Sequence, residues 1–170
     1  RARHNGQRVT SKFCPLSLAE MPADFVNAYV LGSLGATGAS LGACASFLYN
    51  LRQGIEDIRS GRARVAFIGS AEAPVNPEVM DGYAAMGALA ESAQMVVLFD
   101  DALALELGAT VFGAATDVFV NADGYKKSIS GPGVGNYITM AKATAAARAM
   151  LGESMLRNGG LVQAHGTGTP

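Results

Sequence analysis

The stretch CASFLYNLRQGIEDIRSGRARVAFIG, residues 44–69, constrains the fold most, because two different hydrophobic patterns meet there across a single glycine turn. From Cys44 to Ser60, the residues Phe47, Leu48, Leu51, Ile55 and Ile58 recur at helical spacing. Arg52 and Glu56 pair at i, i+4 on another face, and Gly61 stands where such a helix ends. The run amounts to about five turns of amphipathic helix. RVAFIG, residues 64–69, then reads as a buried strand, a short apolar run closed by glycine.

The same alternation extends in both directions. Upstream, PADFVNAYVLGSLG (22–35) predicts a helix with Pro22 at its first position and Gly35 as its stop. ATGASLGA (36–43) is built of small residues suited to close backbone approach, with a short strand over Ser40 to Ala43. Downstream, PEVMDGYAAMGALA (77–90) reads as helical, QMVVLFDD (94–101) as a second buried strand, and DALALELG (101–108) as a helix ending in Gly108. TVFGAATDVFVNA (110–122) predicts a long strand with a glycine bulge, KSISGPGVGN (127–136) a loop of ligand-facing composition, YITMAKATAAARAML (137–151) an alanine-rich helix stopped by Gly152, and GLVQAHG (160–166) a strand entering a glycine turn. Strand and helix alternate throughout, the pattern of a layered α/β fold.

Composition agrees and narrows the function classes. With 49% hydrophobic and 16% charged residues, the 170-residue chain is expected to form a compact domain with a sizeable core rather than a disordered segment. A net charge of -1 supplies no global field to recruit nucleic acid or an anionic membrane, and no run approaches the roughly 18 consecutive apolar residues of a membrane span. The N-terminal RARHNGQRVT lacks the pattern of a secretory signal, so a cytoplasmic, reducing location is expected. Cys14 and Cys44 lie far apart, and His4 and His165 stand at opposite ends, so neither a metal site nor a disulfide framework is expected. The start at Arg1 and the open HGTGTP end lead to the expectation of a longer polypeptide.

Cys44 is the residue with the clearest chemical potential. At a helix start, unpaired backbone N–H groups and the positive end of the macrodipole favour a thiolate, and those N–H groups can also hold an oxyanion when a thioester carbonyl is attacked. Gly42, Ala43, Ala45 and Ser46 leave room for such a carbonyl. The competing reading is a small buried packing residue. His165 follows the strand GLVQA and opens HGTGT, where glycines permit close approach of substrate to backbone; a satisfied structural histidine is the alternative. His4, in a polar terminus, gets only the structural reading. Cysteine attack assisted by histidine fits acyl transfer, and spacing alone leaves a cysteine hydrolase open.

GACASFLYNLRQGIEDIRSGRARVAFIGSAEA, followed after a further helix and strand by VQAHGTGTP, resembles the β-ketoacyl-[acyl-carrier-protein] synthases, condensing enzymes of fatty acid and polyketide synthesis. The matching elements are Ala43-Cys44-Ala45-Ser46, Ser60-Gly61, Gly69-Ser70-Ala71-Glu72 and the His-Gly-Thr-x-Thr motif at His165 to Thr169, and the likeness runs from about Pro22 to the end. It implies a thiolase-like layered αβαβα fold, of which this chain is a part containing mostly the N-terminal half, in a homodimer. It also implies that Cys44 carries an acyl thioester, that His165 stabilises charge on the malonyl thioester oxygen, and that Thr167 and Thr169 bind the phosphopantetheine arm. That arm arrives on acyl carrier protein or coenzyme A, so no resident cofactor is implied.

The partners implied are acyl carrier protein and the acyl and malonyl thioesters, with Arg62, Arg64, Lys126 and Lys127 as candidates for docking an acidic carrier protein. Thiolase-type or polyketide-type condensation, and a non-catalytic subunit paired with an active synthase, are the alternatives; such subunits commonly lack the cysteine. NADGYKKSISGPG resembles a pocket-side family passage with a more basic middle. Two departures stand out. The family's second histidine, lysine and gated glycine-rich loop lie beyond HGTGT, and a family segment is expected to be absent between Ala90 and Glu91.

Overall fold

The computed structural model describes residues 6, 8, 10, 11, 14, 15, 18–72, 77–85, 92–124 and 134–165. The chain divides into two compact units, Arg1–Leu41 and Gly42–Pro170.

In the first unit, α1 (Met21–Phe25) opens with Pro22 in its first turn, where the missing N–H costs nothing, and runs on as a π-helical segment over Val26–Leu31. The helix stops at Gly32, in the left-handed region at φ 57°, three residues before the expected Gly35. Asn27 explains the earlier stop: its carbonyl accepts the N–H groups of Gly32 and Ser33, and its side-chain amide donates to the Ser33 carbonyl at 3.0 Å. Phe25 and Tyr29, one turn apart, bring their ring centroids to 5.0 Å.

The second unit is built on α2 (Ser46–Arg59), the helix expected from the sequence, followed by β1 (Val65–Glu72). Beyond α3 (Pro77–Ala85), β2 (Ser92–Phe99) returns antiparallel to β1 in the register Val65↔Phe99 to Glu72↔Ser92. Ile55 of α2 and Ile68 of β1 are each 7% exposed and, with Ala104, form the buried hydrophobic set among the described residues. Gly54 makes their packing possible. A Cβ there would lie 2.5 Å from Ile68 Cδ1 and 3.0 Å from its Cγ1, so any larger residue would force the Ile68 side chain to shift. A helix-interior glycine is otherwise unfavourable by roughly 1 kcal/mol relative to alanine.

After β2, Asp100 caps α4 (Asp101–Glu106), its carboxylate accepting the Leu103 N–H at 3.1 Å. Gly108 follows at φ 60°, close to the predicted stop. The long strand expected over 110–122 is not one: this segment has no ladder partner among the described residues. Side chains fasten it instead. Arg59 reaches from α2 to Asp117 at 3.0 Å and to the Thr116 carbonyl, and Asn121 donates to Thr139 at 2.9 Å while accepting from Lys142 at 3.0 Å.

Asp123 accepts the N–H of Gly135 at 2.9 Å, capping α5 (Gly135–Asn158) from outside its own sequence neighbourhood. Gly152 breaks α5 as expected, with φ 79° and ψ 163°, but helix resumes beyond it to Asn158. Glu153 bridges the break, bound by Arg148 at 2.5 Å from before it and by Arg157 at 2.7 Å from after it.

Three further expectations change. The strand over Ser40 to Ala43 reduces to an isolated bridge between Gly42 and Cys44. Residues 160–165 form no strand, for the same want of a partner edge. In place of the sizeable core expected, the buried set among the described residues is small, with Leu34, Phe112 and Leu161 among many apolar side chains left exposed. The Ala90–Glu91 junction, the loop at 127–133, His4, Lys126, Lys127, Thr167 and Thr169 lie outside the described residues.

Candidate active site

Cys44 is exposed and lies just outside α2, one residue before the helix-capping position held by Ala45. Ala45 offers no side-chain cap. The residue before the cysteine, Ala43, has φ 49°, the only non-glycine in the left-handed region among the described residues. That conformation costs an L-residue roughly 1–2 kcal/mol, so the surrounding bonds must hold it.

Those bonds are visible. The Ala45 N–H donates to the Gly42 carbonyl at 2.9 Å and the Ser46 N–H to the Ala43 carbonyl at 3.1 Å, closing two tight turns around the cysteine. The Ser46 hydroxyl accepts the Gly42 N–H at 2.9 Å and donates to the Ala43 carbonyl at 2.7 Å. The amides of Ala45 and Ser46 are thus engaged in the turn that shapes the elbow.

His165 is exposed in irregular backbone beyond α5, and no hydrogen bond or ion pair joins it to Cys44. Of the basic candidates, Arg62 bonds Asp57 at 2.6 Å, while Arg64 lies 3.5 Å from Asp100 and 3.7 Å from Glu106. Both are exposed and matched by the chain's own carboxylates. Along the C-terminal half of α2 lies a cavity of about 230 Å³, floored by Ile55 and Phe119 and rimmed by Arg52, Arg59 and Lys142; it includes neither Cys44 nor His165. Among the described residues, no group of three or more His, Cys, Asp or Glu side chains is placed to hold a metal ion, and no helix is long and apolar enough to cross a membrane.

Reasoning from sequence missed the part played by Ser46, which counted only as a small neighbour. A serine three residues after a residue of unusual backbone conformation is a signal for back-bonding to that carbonyl, but the left-handed turn at Ala43 carries no sequence mark, since alanine rarely adopts it.

The described residues thus present an exposed cysteine at a strained elbow that opens a long amphipathic helix backed by an antiparallel strand pair, and the comparisons with known proteins give the class, a thiolase-like α/β fold. Residues 2–125 match the family model of the β-ketoacyl synthase N-terminal domain, and the chain belongs to that family. It is 50% identical over 201 aligned positions to the β-ketoacyl-[acyl-carrier-protein] synthase FabY of Pseudomonas aeruginosa, covering 99% of this chain and 32% of FabY. The crystal structure of the ketosynthase FabY from P. aeruginosa matches with a TM-score of 0.88 at 50% identity, again over 99% of this chain and 32% of that one. The chain thus spans about a third of the length of the curated relative it matches, and its fold is part of the layered thiolase-like architecture.

Proposed function

We propose that the protein carrying this chain catalyses decarboxylative condensation in fatty acid synthesis. The Cys44 thiolate attacks the carbonyl of an acyl thioester, a carbon–sulfur bond forms to Cys44, and the donor thiol departs. Malonyl-acyl carrier protein then loses carbon dioxide, and the electron pair left on its α-carbon attacks the acyl–Cys44 carbonyl. The new carbon–carbon bond forms as the Cys44 sulfur leaves, giving β-ketoacyl-acyl carrier protein. His165 stabilises negative charge on the malonyl thioester oxygen by N–H donation, and Thr167 and Thr169 hold the phosphopantetheine arm.

The observation that carries this reading is Cys44 itself, exposed at a braced elbow in a chain that matches the ketoacyl synthase model over residues 2–125. A cysteine retained at that elbow also argues against a non-catalytic partner subunit. Thioester exchange and decarboxylation involve no net redox change, so the reaction calls for no resident cofactor or metal. The protein works in the cytoplasm as a homodimer. The 201 aligned positions against a chain of 170 residues leave at least 31 at which FabY has a residue and this chain has none, which supports the reading that a family segment is absent from this chain; the sequence pattern puts it at Ala90–Glu91.

The test is condensation with malonyl-acyl carrier protein as donor. The expected result is β-ketoacyl-acyl carrier protein with the protein that carries this chain and none with its Cys44→Ala variant at an unchanged circular dichroism spectrum. Product formation by Cys44→Ala, or condensation that proceeds with acyl-coenzyme A alone as in a thiolase, would overturn the assignment.

A further inference from the structure

We infer that Ser46 is a positioning residue for Cys44, an inference that rests on Cys44 being the acyl-accepting nucleophile. The hydroxyl at the first helical position of α2 does not bond that helix's own N–H groups but is turned backward. It bonds the two peptide groups that flank the Gly42–Ala43 pair, accepting the Gly42 N–H at 2.9 Å and donating to the Ala43 carbonyl at 2.7 Å. The bracket therefore spans the one residue, Ala43, whose φ of 49° sets the direction in which the chain reaches Cys44.

A second contact closes the bracket from the helix. Tyr49, one turn further along α2, covers the face of Gly42 so closely that a Cβ there would lie 2.5 Å from its Cε2. Gly42 is held by the ring, by the hydroxyl and by the Ala45 N–H on its carbonyl, and Ala43 by the hydroxyl together with the Ser46 N–H on its carbonyl. Without the hydroxyl the two backbone turn bonds remain, but Ala43 loses the bracket that joins its carbonyl to the Gly42 N–H and relaxes more readily toward the ordinary right-handed or extended regions, and the cysteine backbone turns with it. Ser46 touches neither the thiol nor a reacting carbonyl; it acts through the backbone that presents Cys44.

Displacing a nucleophile by about 1 Å can cost a hundredfold in rate, so Ser46→Ala is expected to slow acylation of Cys44 roughly tenfold to a hundredfold at saturating donor. The experiment uses the protein that carries this chain, acetyl- and octanoyl-coenzyme A as acyl probes, and peptide-resolved mass spectrometry to read Cys44 separately from Cys14. Ser46→Ala should lower the maximal acylation rate with the donor KM little changed, and Ser46→Thr, which keeps the hydroxyl, should restore it. In parallel, amide hydrogen exchange at Gly42 should accelerate in Ser46→Ala and not in Ser46→Thr.

Wild-type acylation by Ser46→Ala, a loss confined to KM, or failure of Ser46→Thr to rescue would overturn the positioning role while leaving the nucleophile intact. Absence of any acyl adduct on Cys44 in the native protein, with Gly42 exchange still dependent on the hydroxyl, would overturn the nucleophile and the positioning role with it, leaving the bracket as a structural device.

Discussion

The helices α2 and α4 begin in opposite ways. At α4, Asp100 is an ordinary cap: its backbone is extended, with ψ 135°, and its carboxylate accepts the Leu103 N–H inside the first turn. At α2, Ala45 caps nothing, and the nearest hydroxyl, Ser46, bonds the chain before the helix. A cap ordinarily contributes about 1 kcal/mol, which α2 forgoes. Its stability must come from elsewhere, and the packing of Gly54 and Ile55 against Ile68 near its middle supplies it. The two starts show a division of labour along one helix, with burial holding α2 in place and its first turn left to shape the approach to Cys44.

Four substitutions sharpen this contrast. Cys44→Ala, at the uncapped end, should abolish acyl transfer while leaving the thermal midpoint where it was; a large fall in melting temperature would mean that the cysteine is a packing residue. Ile68→Ala, at the packed middle, should do the reverse, lowering stability by roughly 2–5 kcal/mol in a denaturant titration. A cost below about 1 kcal/mol would show that α2 is not held by that contact.

Asp100→Ala should cost about 1 kcal/mol and leave acyl transfer untouched, because its cap serves only its own helix. The smallest effect belongs to Glu153. Hydrogen bonding from Arg148, chiefly, with the Arg148 charge and a bond from Arg157, outweighs the opposing desolvation and holds its carboxyl below the usual carboxylate value. A depressed value in the folded state contributes stability that is present above the unfolded value and lost as pH falls through the folded one. Helical ellipticity should therefore drop slightly on acidification in that range, and Glu153→Gln should remove the pH step; an identical titration in the variant would separate the bridge from the break at Gly152.

The helix α2, both paired strands and the break at Gly152 were legible because each is written in local pattern: apolar spacing at Phe47, Leu51, Ile55 and Ile58, short apolar runs at 64–69 and 94–99, and glycine in a run of alanine; the burial expected of the second run was not, since β2 is exposed over most of its length. The segment over 110–122 has a strand's composition, but a strand is a relation between two edges, and no periodicity within TVFGAATDVFVNA reports whether a partner is present. The same limit explains the core. Composition counts apolar residues without saying which of them meet, and among the described residues few are buried.

The candidate site was legible as a cysteine between small residues and a helix. What escaped was the left-handed Ala43 and the backward turn of Ser46, since both depend on backbone conformation at residues whose identity permits several. Cys44 and His165 were named on separate motifs, and no bond links them.

Incubation of the native protein with an acyl-coenzyme A donor, followed by intact-mass measurement and peptide mapping, tests the role of Cys44 most directly. The expected result is a single acyl adduct on the peptide containing Cys44, discharged when malonyl-acyl carrier protein is added. An adduct on Cys14, or none on either cysteine, would contradict it.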